Sequence, residues 1–409
     1  MTTTYFKRPF FIAVFVSLAL GFTACNDDEE DNTPLDTSDP NAGLKTEIKA
    51  NYAAIVYASY EDSYNEAKEL QTAVNSFTAN PSEAGFDDCK QKWLDSREPY
   101  GQTEAYRFAN GPIDDANGPE GALNAWPLDE GYVDYIRGGV DSSIISNTSA
   151  FPNLTATILA AANEAKSEKN ISIGYHAIEF LLWGQDDADA SLLTKGNRSF
   201  TDYEDGGTNG NQARRREYLR VATDILIADL KTMVDHWDPS KSNNYSASFL
   251  ATDNNTVLKN ILTALGTLSK SELGGERMFV ALNNQDQEDE HSCFSDNTHR
   301  DMILNAQGIR NVYIGSYVRV NGAVVSGSSI QHLIQLLNAN MASEMNVLSA
   351  KTISNAEAIP VPFDNALTQE VIGGNGPIMS SVRTLQDQGD KIAEIATAFG
   401  LTISTELPE

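Results

Sequence analysis

His176 and Glu179 are the only strongly ionisable side chains in the run Ile171-Ser-Ile-Gly-Tyr-His-Ala-Ile-Glu-Phe-Leu-Leu-Trp-Gly184. On a helix, residues three apart are neighbours on one face, while the apolar residues of this run surround the axis almost completely, as in a buried segment. A carboxylate buried among Ile, Phe, Leu and Trp needs a cation or hydrogen-bond donors. A neutral imidazole offers a nitrogen lone pair, so the pair amounts to half of a metal site. The plainer reading, a His-Glu pair satisfied by its own hydrogen bond or by an arginine, is equally open at this point. Neither is the spacing the H-E-x-x-H of zinc peptidases, since no second histidine lies one turn away.

Two further constellations could complete such a site. Trp93, Arg97, Tyr100 and Glu104 fall within about 60° of one another on an ideal helix, a stripe half aromatic and half charged. It offers Glu104 as a ligand and Arg97 to orient a carboxylate; as a simple packing seam it would hold its own Arg97–Glu104 pair. Pro99 within it removes a backbone donor and predicts a kink. In the other half, Glu288-Asp289-Glu290-His291-Ser-Cys293-Phe-Ser-Asp296 gathers carboxylates, an imidazole and a thiol. Asp289 and His291 are the candidate ligands there and Asp296 an orienting group; Asp296, Asn297 and Thr298 are also helix-cap residue types. His236 and His332 sit in amphipathic stretches and are read as non-ligands.

The elements that must position these residues are helical almost throughout. Apolar residues recur at helical spacing, as at Leu219, Ile225, Leu226, Leu230 and Val234, and the periodicity predicts helices over 45–79, 83–109, 152–167, 170–184, 212–237, 255–281, 298–316, 327–350 and 377–399. The one hairpin-like stretch is 318–325, around Asn321-Gly322. The fold class is all-α. The polar, Gly-rich stretch 185–211 separates two sets of about four long helices, which predicts two helical bundles, 45–205 and 206–409, with the site near their interface.

The start of the chain speaks to compartment. Lys7 and Arg8, an apolar run from Phe10 to Phe22, and Thr23-Ala24-Cys25 make a signal segment over 1–24 that ends at a lipidation cysteine, Cys25. The acidic block Asn-Asp-Asp-Glu-Glu-Asp at 26–31 is similar to the surface-export signals of Bacteroidetes lipoproteins, and 25–44 reads as a tether. Removing 1–24 leaves 27 basic against 57 acidic side chains, a formal charge near −30, which argues against nucleic acid as a partner. The expected place is the cell envelope, on an outer membrane, facing the surface or the periplasm, with membrane contact through the lipid alone. Cys89 and Cys293 are too few for a disulfide framework, and their pairing is left open.

The segment Gly174 to Gly184 resembles the imelysin family, peptidase group M75, whose signature is G-x-H-x-x-E. The likeness continues through Trp93 to Phe108, Gly111-Pro-Ile-Asp114, Asn124-Ala-Trp-Pro-Leu-Asp129, Gly196 to Tyr203, Arg214 to Tyr218 and Glu290 to Thr298. It implies two helical bundles with the signature helix near their interface, His176 and Glu179 as signature residues, and Arg97 and Glu104 as neighbours. Because the family is linked to iron regulation or uptake, the expected function is binding of a metal or metal complex for acquisition, iron first with zinc or calcium as alternatives, together with an outer-membrane uptake partner. In that reading His176, Glu179, Glu104, Asp289 and His291 are ligands, and Arg97, Trp93, Tyr100 and Asp296 orient them. A metallopeptidase using Glu104 or Glu179 as base is the alternative, and a polysaccharide- or protein-binding module resting on Trp93, Tyr100, Tyr106 and Trp126 is the third.

Overall fold

The computed structural model describes residues 39–139, 141–186 and 194–408. Cys25, the signal segment and most of the tether lie outside them. The chain opens with α1 (Ala42–Ala79) and α2 (Glu83–Thr103), the latter capped by Ser82 and running through Pro99 into a short 3-10 turn, Glu104–Tyr106. The short helices α3 (Glu120–Leu123), α4 (Glu130–Val133) and α5 (Ala156–Ala162) lead to α6 (Gly174–Trp183), every residue of which is buried. Then come α7 (Gln212–Trp237), α8 (Tyr245–Ala251) and α9 (Asn254–Thr267). α9 continues as a π-helix, Leu268–Phe279, and ends in α10 (Val280–Asn284). Finally α11 (Thr298–Ile314), the hairpin β1 (Ser316–Val318) and β2 (Val324–Ser326), α12 (Ile330–Leu337), α13 (Ala339–Glu357), α14 (Phe363–Gln369) and α15 (Pro377–Ala398) complete the chain.

The fold is all-α apart from that hairpin, whose strands pair antiparallel with Tyr317 opposite Val325. Among the described residues, no helix is long and apolar enough to cross a membrane. α1 packs along α2 and α7, with α6 against α7 and α2; α15 packs along the π-helix, α9 and α13, and α11 bridges the two groups by crossing α2. Thus α7, which falls in the range 206–409 expected of the second bundle, lies on α1. The stretch expected to separate the bundles is pinned where it is described: the Gly196 amide donates to Phe294 O and the Arg198 amide to Trp183 O.

Helix sequence explains most boundaries. Asn338 ends α12 and its side chain caps α13 by accepting from the Met341 amide, so the helix expected over 327–350 is two. The helix expected over 255–281 changes pitch at Leu268, where π geometry widens the turn. α2 and α11 approach closely because Gly308 stands at their crossing; a Cβ there would meet Gln102 O at 2.3 Å. This approach sets Arg97 and Glu104 of the α2 end against the inner face of α11. Cys89 and Cys293 are both free thiols.

Candidate functional site

Gly174 begins the site. Its φ of +86° disfavours side chains with a Cβ, and one built there would stand 2.7 Å from Ala122 O and 2.8 Å from Leu123 O. The glycine therefore lets the 122–124 segment lie against the first turn of α6, which delivers Asn124 to the neighbourhood of His176. One turn on, Glu179 is fully buried and both of its oxygens are engaged. Oε2 lies 2.9 Å from His176 Nδ1, and Oε1 accepts from the Ser295 amide at 3.0 Å and from Ser295 Oγ at 2.6 Å.

His176 Nε2 is buried and has no hydrogen-bond partner. The ring of His291 lies against that of His176, the centroids 4.8 Å apart and edge-on, and Trp126 also packs on His291 at 5.1 Å. His291 Nε2 is 3.3 Å from Asn124 Nδ2, and its Nδ1 is 3.3 Å from Asp301 Oδ2. The histidines are 2% and 3% exposed. Desolvation, helped by the positive charge of Arg97 near His176 and of Arg277 near His291, pulls each imidazole down to about 3, so both are neutral. Burial pushes the Glu179 carboxyl the other way, up to about 8, against the hydrogen bonds from Ser295.

Around the imidazoles runs a network of buried ions. Arg97 donates to Asn124 Oδ1 at 2.6 Å and to Asp301 Oδ1 at 2.7 Å, and its guanidinium is walled by the rings of Trp93, Tyr100 and Tyr175. Trp93 in turn donates to Tyr175 O, fixing α2 to α6. Asn124 Nδ2 donates to Glu104 Oε1 at 3.2 Å, and Arg277 of the π-helix donates to Glu104 Oε2 at 2.7 Å, to Glu272 Oε1 and to Asn305 Oδ1. Burial would raise Glu104, but Arg277 and Arg107 outweigh it and hold the carboxyl down at about 2. Burial likewise opposes ionisation of Asp301, and Arg97 outweighs it, leaving that carboxyl well below its usual range. Glu120, at the outer edge beside Arg107, is pushed up by burial to about 7.

The structure thus brings together His176, Glu179, Glu104, His291, Arg97, Trp93 and Tyr100. The Arg97–Glu104 pair expected of a packing seam does not form: Arg97 pairs with Asp301 and Glu104 with Arg277, with Asn124 bridging the two pairs. Asp289 is half-buried and accepts from Asn284. Asp296, just beyond Ser295, turns instead toward Asp186 and Asp364. Sequence reasoning missed Asn124, Glu272, Arg277 and Asp301 as site residues. Asp301 lies beyond the acidic run read as candidate ligands, and nothing in the local sequence marks the pitch change that lets Glu272 and Arg277, five apart, share a bond. Of the aromatics considered for sugar stacking, Trp93, Tyr100 and Tyr106 are core residues and Trp126 is half-buried against His291.

Residues 56–389 match the profile of the family described as Imelysin, Peptidase_M75. Over 321 residues the chain is 25% identical to Iron-regulated protein A of Synechococcus elongatus, spanning 76% of this chain and 75% of that protein. Its fold is similar to the crystal structure described as an iron-regulated protein A precursor from Parabacteroides distasonis, with a TM-score of 0.68 and 20% identity over 87% of this chain and 95% of that one. An imelysin-like protein from Psychrobacter arcticum is similar at a TM-score of 0.60 and 14% identity, covering 90% and 98% of the two chains.

Proposed function

The chain belongs to the imelysin family, and from that premise we propose that it is a cell-envelope lipoprotein, anchored at Cys25, that binds a metal ion between His176 and His291 for uptake. Iron is the first candidate, supported by a relative named for regulation by iron. The observation that carries the reading is His176 Nε2, a buried nitrogen without a partner on a ring packed against a second neutral imidazole. Glu179 at Nδ1 is the kind of acid that commonly orients a ligating histidine. Its role in this reading is therefore to hold His176, with His176 and His291 as the imidazole ligands and with Glu104, itself held by Asn124 and Arg277, and Arg97 fixing their surroundings. An imidazole-rich site suits iron or zinc better than a site built of oxygens alone.

The peptidase reading stands second. It needs a polypeptide to reach the imidazoles, and residues 2% and 3% exposed favour a small ion. Elemental mass spectrometry on protein purified without chelators, beside His176→Ala, tests the proposal. Stoichiometric iron that the substitution abolishes, with thermal unfolding still cooperative, is the expected result; equal metal in both proteins overturns it.

A further inference from the structure

At the end of α6 away from the histidines, the chain closes around a cavity of about 170 Å³ lined by Tyr135, Arg137, Trp183, Gly184, Asn197 and Arg198. Two glycines shape it. Gly184 ends the helix at a φ of +73°, and Gly196 passes so close that a Cβ on it would meet Gly184 O at 2.5 Å. That approach brings Arg198 alongside Gly184. The negative end of the helix is covered, because Phe180 O accepts from the Gly184 amide, Leu181 O from the Tyr203 hydroxyl and Trp183 O from the Arg198 amide.

Donors without an acceptor gather here. Arg198, 5% exposed, spends Nη1 on Asp134 and Asp202, while its Nε is buried without a partner and its Nη2 makes no hydrogen bond among the described residues. Trp183, 1% exposed, likewise has a buried Nε1 without a partner. The Nε–Nη2 edge of a guanidinium is a fork that takes two oxygens of a carboxylate or phosphate. Elsewhere in this chain it does so: Arg215 holds Asp134 and Arg300 holds Glu98 through Nε and Nη2. In Arg198 the same edge borders the space over Gly184, with Nε 3.3 Å and Nη2 3.7 Å from where a Cβ would stand. A guanidinium and an indole N–H can only donate, so what they lack is an acceptor.

Asp134 and Asp202 already balance Arg198 and Arg215, so attraction for a further anion must come from other cations. Lys90 supplies one, its Nζ 5.7 Å from the centroid of the Trp183 ring. Burial pulls this ammonium below its usual range, and the charges of Lys195 and Arg198 add to that while Asp87 opposes it. Lys195 also acts on Asp296, but among the described residues neither lysine forms an ion pair. In a chain of formal charge −28 this is a local reversal of sign.

We propose that Arg198, Trp183 and Lys90 form a binding pocket for an oxyanion, the carboxylate or phosphate group of a small ligand, separate from the histidine site. Arg198 grips two oxygens in its fork, the indole N–H donates to the same group, and Lys90 supplies the charge that Arg198 has spent on Asp134.

The test is calorimetry and thermal unfolding of the full chain with inorganic phosphate and, separately, acetate, at constant ionic strength set with sodium chloride. Expected is saturable heat with at least one anion, and a Tm that rises with its concentration. A response to phosphate alone assigns a phosphate group to the pocket, and a response to acetate alone a carboxylate. Asn197→Asp puts a negative charge on an exposed side chain at the rim and should weaken binding about tenfold with folding unchanged. Trp183→Phe, which keeps a ring and removes the N–H, should weaken it by about 5–10-fold. His176→Ala should bind like the wild type, which separates this pocket from the proposed metal site whatever becomes of that one. A wild-type chain that gives neither heat nor a Tm rise with either anion overturns the proposal. So does binding that Asn197→Asp and Trp183→Phe both leave unchanged.

Discussion

Two buried ionic clusters lie at opposite ends of α6, and they are built to different rules. At the Trp183 end, Asp134 accepts from Arg198 and from Arg215 at 2.6 Å each and again from Arg215 at 3.0 Å, while Asp202 accepts from Arg198, Tyr135, Thr208 and Asn209. Every oxygen of those two carboxylates is taken, and two acids face two guanidiniums. At the His176 end the arginines and acids are paired just as closely, yet a neutral imidazole nitrogen is left over in the middle. Ion pairing alone therefore does not mark a metal site, since both clusters have it. Nor does a missing partner alone mark one, since Arg198 Nε and Trp183 Nε1 are also buried without a partner at the other end; what marks a metal site is an unpartnered nitrogen that can carry a lone pair, which an imidazole can and a guanidinium or indole N–H cannot.

The largest effect expected from this contrast belongs to the Asp134 cluster. Asp134→Ala leaves Arg198 and Arg215 buried without their counter-charge, and breaking a buried pair in this way costs about 3–5 kcal/mol. Urea unfolding should show that loss, while the folded fraction keeps its metal. A cost under ~1 kcal/mol would mean that these ions are far better solvated than their burial implies. A loss of metal in the folded fraction would show that the two ends of α6 are not independent, and the contrast would fail.

A smaller and more selective effect is expected at Glu179. Glu179→Gln keeps the size of the side chain but removes the acid that pairs with His176 Nδ1, and should weaken metal affinity by about 10–100-fold. It should also change the pH response of the metal-free chain. A carboxyl raised in the folded state to about 8 removes stability as pH climbs from the free-glutamate value, ~4.3, to that point. The histidines, lowered to about 3, contribute stability that is complete above ~6.5 and lost as pH falls toward 3. Between pH 6.5 and 8 the histidine contribution is constant, and raised carboxyls such as Glu179, Glu120 and Glu130 set the slope. Thermal unfolding in EDTA across that window should therefore lose stability with rising pH in the wild type, and less steeply in Glu179→Gln. Asp134, lowered in the folded state once its arginines outweigh burial, acts only in acid: its contribution is present above about 3.9 and lost below it. An identical slope in the variant and the wild type would mean that Glu179 is ionised in the folded chain.

The same contrast explains what could be read in the sequence. α7 matches its expected span, 212–237, because its apolar stripe is periodic throughout, and α11 begins at Thr298 where cap-type residues precede a helical run. His176 and Glu179 were legible because ionisable groups in an all-apolar helix must find partners, whatever the tertiary structure. Their partners were not legible. Arg97 and Asp301 are 204 residues apart, and nothing local says which of Asp289, Asp296 and Asp301 turns inward. Asp289 was named as a ligand and lies beside Asn284, while Asp301, twelve residues on, holds the network. The Asp134 cluster was visible only as blocks of Arg, Asp and Tyr, since composition does not show which ions pair.

The smallest effect concerns a pair that shares the chemistry of both clusters without their burial. On α7, Lys231 and Asp235 stand one turn apart at 2.6 Å, with side chains 45% and 39% exposed, and Lys241 also reaches Asp235. The contact is as short as those at Asp134, so any difference in effect must come from solvent. Water screens both charges and would solvate either one left alone, so Lys231→Ala should change stability by no more than about 0.5 kcal/mol. That outcome, beside a loss several times larger for Asp134→Ala at equal bond length, would establish desolvation as what makes the clusters at the ends of α6 consequential. A cost above ~1 kcal/mol for Lys231→Ala in moderate salt would assign the effect to charge pairing itself.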